Sequence, residues 1–594
     1  MNHRVIFACL ALAVATTATL ADDDPGGQRN VPTATPIKHL VVIFQENVSF
    51  DHYFGTYPFA QNDPEETPFK ASPRTPRSIN NLITPLDVNN GFAPLGVDLI
   101  HNNPNSNPAA PRAPNNSRQN GAGASNPFRL SPAQAVINDQ GHNYTPEQEA
   151  YNNFRMDGFP AWTGVAGPPP SPPPGAVVTK GLVMGYYDGN TTTALWNYAQ
   201  HFAMSDNSFT TTFGPSTPGA LNLITGQTSS FSAFNSHVPS SHEVSDGGGN
   251  FTMIGDGDPL LDVCSNPAVD QATIAGRNIG DMLNARGITW GFFEGGFDLT
   301  VVNSNGTTGC LRSHAATQPP FPVSQDYIPH HQPFQYFAST RNPNHDRPSS
   351  VAAIGKSLIP GTNTPDPANH QYDIHDFFDA LAAGNLPAVT YLKATAFEDG
   401  HAGYSDPLDE QHFIVRVLNA LQRSPFWSHT AVVIAYDDSD GFYDHQMPPI
   451  VNPSFSVADK LNGLSTCTLG LQQGRPTRGT PLNGAFGYPA QGRCGYGTRL
   501  PLLVVSPFAK ENYVDHTLID QTSILRFIED NWLFGERVQP DGSFDTIAGP
   551  INNMFDFAQQ GNNDEPRRLI LDPVTGAVVS APGDDQGQNS NSQR

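Results

Sequence analysis

Five runs of apolar and β-branched residues without polar alternation divide the chain. Such runs are typical of strands buried on both faces of an α/β sheet. They predict strands at residues 37–44, 288–293, 386–392, 430–436 and 500–506. Apolar residues at helical spacing predict helices at residues 146–157, 191–202, 372–383 and 520–532. The pattern therefore favours an α/β fold.

Residues 60–135 interrupt this pattern. Asn, Pro, Ala and Ser dominate them, and no periodicity is visible. A segment of this length inside a compact domain is usually a lid, a surface insertion or a partly disordered loop. The sequence indicates a long loop insertion whose role it does not define.

The two ends of the chain differ in composition from the middle. Residues 1–21 combine Arg4, a short apolar run and a small-residue site ending at Ala21, which predicts a cleaved signal peptide. Residues 22–36 and 572–594 are polar and predict disordered tails, which leaves residues 37–571 as one catalytic domain. We expect a secreted or periplasmic protein without a stable membrane anchor, because no later run approaches about 18 apolar residues.

Cysteine usage agrees with an oxidising compartment. After the signal peptide, Cys264, Cys310, Cys467 and Cys494 form an even set. Three pairings are possible, and we favour the sequential one, Cys264 with Cys310 and Cys467 with Cys494.

Charge excludes one class of partner. The formal net charge is -24, and 14% of the residues are charged. Such a chain offers no basic surface to nucleic acid or to anionic lipid. Nucleic-acid binding is therefore not expected.

A candidate nucleophile lies in residues 209–226. Gly214 and Pro215 predict a tight turn, Ser216 and Thr217 an N-cap, and Pro218 the first helical residue. A hydroxyl there would face free backbone N–H groups and the positive end of the helix dipole, which attract phosphate. Ser216 is the candidate, and an ordinary capped helix is the alternative.

Oxygen ligands follow two of the predicted strands. Glu46 and Asn47 come after the first strand, and Asp437 and Asp438 after the strand at 430–436. In open α/β sheets the ligand site lies at the carboxyl ends of the strands. Adjacent carboxylates repel each other and need a cation or several donors. We predict a metal site, with solvated polar loops as the alternative.

Four histidines lie in predicted loops near these residues. They are His142, His330, His331 and His401. An isolated loop histidine is more often a surface residue than a site residue. The adjacent pair should point in different directions and so should not form a two-histidine ligand face.

Taken together, these motifs resemble those of the bacterial acid phosphatase and phospholipase C superfamily of phosphoesterases. The motifs are residues 45–51, 214–219, 436–441 and 443–445, and the likeness runs from about residue 37 to 535. It implies a fold similar to alkaline phosphatase, with a central β-sheet flanked by helices, one divalent metal ion and a covalent phosphoenzyme. By the same resemblance Ser216 is the nucleophile, Glu46, Asn47, Asp437 and Asp438 hold the metal, and His142, His330, His331 and His401 bind phosphate or protonate the leaving group.

Two positions favour one branch of that superfamily. The phospholipase branch usually has Thr and Asn where this chain has Ser216 and Gly219. This departure favours a secreted acid phosphatase that acts on small phosphate monoesters. The matched motifs contain no arginine, so several histidines would supply positive charge, with a faster rate toward about pH 5 to 6. The alternatives are a phospholipase C and an inactive secreted metal-binding module.

Overall fold

The computed structural model describes seven stretches of the chain. They are residues 31–106, 120–166, 178–234, 242–245, 250–468, 479–558 and 565–581. The predicted signal peptide lies outside them.

The strands are β1 (His39–Gln45), β2 (Leu86–Asp87), β3 (Ala93–Pro94), β4 (Phe128–Arg129), β5 (Gly185–Tyr186), β6 (Ala203–Phe209), β7 (Ser229–Phe234), β8 (Glu243–Ser245), β9 (Phe251–Met253), β10 (Asp258–Pro259), β11 (Gln271–Ile274), β12 (Trp290–Glu294), β13 (Ser313–Ala315), β14 (Val323–Gln325), β15 (Gln371–Asp373), β16 (Val389–Lys393), β17 (Thr430–Tyr436), β18 (Arg499–Val505), β19 (Tyr513–Asp515), β20 (Ile519–Asp520), β21 (Ile570–Leu571) and β22 (Val578–Ser580). The α-helices are α1 (Phe50–Phe54), α2 (Tyr144–Tyr151), α3 (Phe159–Trp162), α4 (Thr193–His201), α5 (Ser216–Thr225), α6 (Ile279–Ala285), α7 (Ile374–Ala382), α8 (Pro407–Arg423) and α9 (Thr522–Trp532).

A mixed nine-stranded sheet organises the fold. Its order is β15, β12, β16, β1, β17, β18, β6 and β19, and β20 also pairs with β6. The neighbours from β15 to β17 are parallel, whereas β18 is antiparallel to both β17 and β6. Every residue of β1 and β17 is buried, which explains their continuous apolar sequence. The predicted α/β fold is confirmed.

Helices and a second sheet surround this layer. Helix α4 contacts β6 and β18, α7 contacts β12 and β15, and α9 contacts β20. A five-stranded sheet has the order β10, β11, β7, β9 and β8. The loop insertion at 60–135 contains the β2–β3 hairpin and β4, which pairs with β5. No helix in the described part of the chain is long and apolar enough to cross a membrane.

Helix α2 begins and ends earlier than the sequence predicts. Its N-cap is Asn143, and Thr145 lies inside the helix, where its hydroxyl donates to the carbonyl of Ala458 at 2.7 Å. The helix ends at Asn152, which has a left-handed backbone (φ 45°). Asparagine accepts this conformation more readily than most residues, so it ends the helix before the predicted position.

Helix α7 begins later than predicted, because the first predicted residues belong to the sheet. The strand β15 pairs in parallel with β12. Asp373 then caps the helix by accepting a hydrogen bond from the backbone N–H of His375 at 3.3 Å. Helical spacing alone could not separate this strand from the helix that follows it.

The structure corrects both predicted tails where it describes them. In the N-terminal segment, Thr35 donates its hydroxyl to Asn531 Oδ1 at 2.9 Å. In the C-terminal segment, β22 pairs with β21, and Gln411 donates to the carbonyl of Val574 at 3.1 Å. Residues 31–36 and 572–581 are therefore packed on the domain.

The described residues contain two disulfides. Cys264 is bonded to Cys310, and Cys467 is bonded to Cys494. The predicted sequential pairing is confirmed.

A buried histidine gives the fold a dependence on pH. The ring of His52 stacks on Phe442 with 3.7 Å between centroids, and Nδ1 lies 2.8 Å from the carbonyl oxygen of Gly185. Burial lowers the pKa of His52 to about 3. Because the unfolded chain binds the proton more tightly, stability that is fully present above about pH 6.5 is lost as the pH falls toward the folded-state value.

We predict that His52→Gln reduces the acid sensitivity of folding. As the pH falls from about 7.5 to about 5, His52 should lower the unfolding free energy of the wild type by about 2 kcal/mol. The variant should not show this decrease. Urea unfolding at both pH values measures the difference, with the exposed His101→Gln as the control. An equal loss in wild type and His52→Gln would contradict the assignment.

Candidate active site

Ser216 is the first residue of helix α5, not its N-cap. Gly214 has a φ of 120°, and Pro215, in extended conformation, occupies the N-cap position. The predicted turn is present, but the helix starts two residues earlier than expected and includes Pro218 in its first turn. Gly226 ends it with a left-handed backbone, as predicted.

The Ser216 hydroxyl lies between two carboxylates. Its Oγ is 3.2 Å from Glu46 Oε2 and 3.2 Å from Asp438 Oδ2, and the residue is 2% exposed. These residues come from three distant parts of the sequence. A solvated capping serine would not meet two buried carboxylates, so the ordinary-cap alternative does not describe this position.

The four predicted metal ligands converge beside Ser216. Strand β1 pairs with β17 so that Gln45 lies opposite Tyr436, which places Glu46 and Asp437 at the same edge of the sheet. The backbone N–H of Asn47 donates to Asp437 Oδ1 at 3.3 Å. Parallel pairing thus explains why oxygen ligands separated by almost four hundred residues meet.

Protein groups alone neutralise the negative charge of these carboxylates poorly. Burial and the neighbouring Asp437 raise the pKa of Asp438 well above its usual range, although His142 opposes the shift. Asp437 and Asp438 are 2% and 0% exposed. A set of buried carboxylate and amide oxygens suits a hard divalent cation.

The four predicted histidines all lie around this site. The ring centroids of His142 and His401 are 6.0 Å apart, and those of His330 and His331 are 4.6 Å apart with an 88° angle between the planes. Nδ1 of His331 is 3.3 Å from Glu46 Oε1, whereas Nδ1 of His330 is 3.5 Å from Asp258 Oδ1. The adjacent pair therefore points in two directions, as predicted.

The histidines differ in how readily they are protonated. Burial opposes a charge on His142 and His330, but nearby carboxylates outweigh it and raise both pKa values, well above the usual range for His142. Burial lowers the pKa of His331 and of His401. Positive charge from histidine is therefore supplied by His142 and His330, and not equally by all four.

The expected free N–H group next to the nucleophile is already paired. Asp256 Oδ1 accepts from the backbone N–H of Thr217 at 2.9 Å and from its hydroxyl at 2.8 Å. The charges of His330 and His142 help to lower the pKa of Asp256 despite its burial. Sequence reasoning missed Asp256, whose irregular segment has no apolar pattern to place it beside α5.

Glu147 joins the nucleophile turn to the carboxylate loop. Its Oε2 accepts from the backbone N–H of Gly214 at 2.9 Å, and its Oε1 accepts from the hydroxyl of Ser439 at 2.7 Å. Burial raises its pKa to about 7. The predicted helix contained Glu147, but nothing in its local sequence indicated these partners.

A buried lysine, also missed, completes the site. Lys393 ends β16 with 2% of its side chain exposed, and its Nζ pairs with Glu46 Oε1. Its place directly after a predicted buried strand was a usable signal. Lys393 therefore adds an amine to the histidines from which the sequence predicts the positive charge of the site.

Comparison with known proteins identifies the family of the chain. The sequence pattern of the Phosphoesterase family matches residues 37–534. The chain belongs to the phosphoesterase family. This match includes α5, which begins with Ser216, and the strands β1 and β17, which Glu46 and Asp437 directly follow.

Several bacterial phosphoesterases resemble the chain throughout. A non-hemolytic phospholipase C of Pseudomonas aeruginosa is 24% identical over 89% of this chain and 58% of its own length. Phospholipase C A of Mycobacterium tuberculosis is 22% identical over 92% of this chain and 82% of its own length. The chain thus spans less than two thirds of the Pseudomonas relative. A solved alkaline phosphatase superfamily protein of Vibrio parahaemolyticus is 11% identical over 66% of this chain and 69% of its own, with a TM-score of 0.25, too low to assign a fold.

Gly219 gives a test of how closely α5 packs on the carboxylate loop of this phosphoesterase. A Cβ at Gly219 would lie 2.2 Å from the carbonyl oxygen of Asp437. Gly→Ala in a helix ordinarily stabilises by about 0.5–1 kcal/mol. Here we predict that Gly219→Ala destabilises by about 1–3 kcal/mol, because backbone must move.

The unfolding free energy measures this, with Gly479→Ala as the control, since a Cβ there meets open space. A stabilised Gly219→Ala variant would show that α5 does not approach Asp437 this closely.

Proposed function

We propose that the protein is a phosphatase that hydrolyses small phosphate monoesters through a phosphoserine on Ser216. The observation that carries the proposal is the position of the Ser216 hydroxyl, 3.2 Å from oxygens of both Glu46 and Asp438. Membership of the phosphoesterase family supports phosphoric ester hydrolysis as the general activity. Within that activity, we propose that the substrates are monoesters and that the pH optimum is acidic.

One divalent metal ion would be held by the oxygens of Glu46, Asn47, Asp437 and Asp438. The fit is supported by the buried carboxylates, because burial and then the neighbouring Asp437 raise the pKa of Asp438. When bound, such an ion favours the alkoxide of a nearby hydroxyl and neutralises phosphoryl oxygens. The identity of the ion is not part of the proposal.

The protein's own residues would divide the remaining work. Ser216 attacks phosphorus, and its proton passes toward the carboxylate oxygens it contacts. Protonated His142 or His330 would give a proton to the leaving alcohol as the ester P–O bond breaks, while His331 and His401 line the same phosphoryl site. Water would then hydrolyse the phosphoserine, which releases inorganic phosphate and restores the Ser216 hydroxyl. Phosphoryl transfer depends mainly on such positioned charge.

A phospholipase C is the second candidate, favoured by the relatives named phospholipase C. Against it stands Gly219, where the phospholipase pattern has a larger residue. A Cβ at this position would lie 2.2 Å from the Asp437 carbonyl oxygen, so this chain has no room for that residue. The third candidate, an inactive metal-binding module, is disfavoured by the complete set of reactive side chains.

We also propose that the protein works outside the cytoplasm. The two disulfides support this, because such bonds persist mainly in oxidising compartments. The predicted signal peptide at residues 1–21 is consistent with it.

The deciding assay compares a soluble aryl phosphate with phosphatidylcholine vesicles between about pH 4 and about pH 9. We expect release of inorganic phosphate from the aryl ester to be at least ~100-fold faster than release of phosphocholine, with an optimum below pH 7. Ser216→Ala should lower both rates at least ~1,000-fold, since it removes the attacking oxygen. Thr217→Val is the matched control and should stay within about tenfold of wild type, because its hydroxyl is paired with Asp256.

Two results would contradict this function. Faster phosphocholine release, or an optimum above about pH 8, would favour the phospholipase. Near-normal activity of Ser216→Ala would remove Ser216 from the reaction.

A further inference from the structure

Lys393 lies at the point where three parallel strands end. Strand β16 pairs with β1 so that Ile43 lies opposite Leu392, and β1 pairs in turn with β17. The residues that follow on the same edge are Lys393, Glu46 and Asp437. The topology therefore brings one amine to the carboxylates that surround Ser216.

The amine is paired with the carboxylate that also contacts the nucleophile. Lys393 Nζ binds Glu46 Oε1, and the other oxygen, Oε2, lies 3.2 Å from Ser216 Oγ. His331 Nδ1 lies 3.3 Å from the same Oε1. Among the described residues, Lys393 is the lysine or arginine that forms an ion pair with a proposed metal ligand.

Burying a lysine is costly unless it is paired and hydrogen-bonded. The Lys393 side chain is 2% exposed, and its Nζ lies 5.9 Å from the centre of the Phe44 ring. An apolar residue would fill this space without a desolvation cost, so packing does not explain the amine. The ion pair with the Glu46 carboxylate explains why an amine is buried here.

We propose that Lys393 is a positioning residue for Glu46: by binding Oε1 it turns Oε2 toward Ser216 and the metal site. The proposal rests on the proposed function, in which Glu46 is a metal ligand. Without Lys393, Oε1 would keep only the 3.3 Å contact with His331, and the carboxylate could rotate or bind through both oxygens. Partners of metal ligands that fix their orientation commonly change metal affinity or activity by about 10–100-fold when removed.

The test is Lys393→Met in the full chain, with chelator competition for bound divalent metal as the first measurement. We expect the metal affinity to fall about 10–100-fold. Charge alone predicts the opposite sign, because loss of a positive group beside the ligands would strengthen cation binding. Lys70→Met, at an exposed lysine, is the control and should leave the affinity unchanged.

A double-mutant cycle shows whether Lys393 acts through Glu46. In the Glu46→Gln background, Lys393→Met should change the metal affinity less than about threefold, since coupled residues are not additive. With aryl phosphate, kcat of Lys393→Met should fall about 10–100-fold while KM changes less than about threefold. If Lys393→Met does not fold, Lys393→Gln replaces it under the same criteria.

An unchanged or higher metal affinity, or an equal effect in both backgrounds, would overturn the proposal. The proposed function is decided by a different result. A wild-type chain that binds metal but hydrolyses no phosphate ester would reject the function, and the affinity cycle would still decide the role of Lys393.

Discussion

The repulsion between buried carboxylates at one edge of the main sheet is the constraint on which the site depends. Glu46, Asp437 and Asp438 are at most 2% exposed, and the hydroxyl of Ser216 lies among them. Such a concentration of negative charge is stable only with nearby cations or donors. Lys393, His142 and His330 supply positive charge, and the proposed divalent ion would supply the rest.

The surrounding elements hold this edge in place. Arg499 of β18 is fully buried and donates to Asp51 Oδ1 at 3.0 Å and to Asp444 Oδ2 at 3.1 Å. It thereby joins α1, which follows Glu46, to the loop that follows Asp438. Glu147 makes a similar link between the turn before Ser216 and Ser439. Rigid support of this kind keeps reacting groups within the narrow geometry that phosphoryl transfer requires.

Sequence reasoning succeeded where a local pattern carried the information. The run at 430–436 predicted β17 with its observed bounds, and the polar residues after β1 and β17 were placed correctly because parallel strands end at the same edge. Ser216 was found through the turn and helix that surround it. The family resemblance then supplied the proposed roles of the histidines, which local sequence could not.

What the sequence did not predict depends on long-range contacts. Asp256 reaches Thr217 from an irregular segment, and Glu147 reaches Gly214 from a helix of unremarkable composition. Lys393 stood at the end of a predicted strand, but its burial became visible only when β16 was placed next to β1. Residues of this kind have partners that no local spacing indicates.

The central claim is that Ser216 carries the phosphoryl group. It is tested most directly by mixing the enzyme with an aryl phosphate, quenching with acid within the first turnover and locating the modification by peptide mass spectrometry. We predict phosphate on Ser216 in the wild type and none in Ser216→Ala. Phosphate on Thr217, or hydrolysis at full rate without any acid-stable phosphoenzyme, would contradict the account.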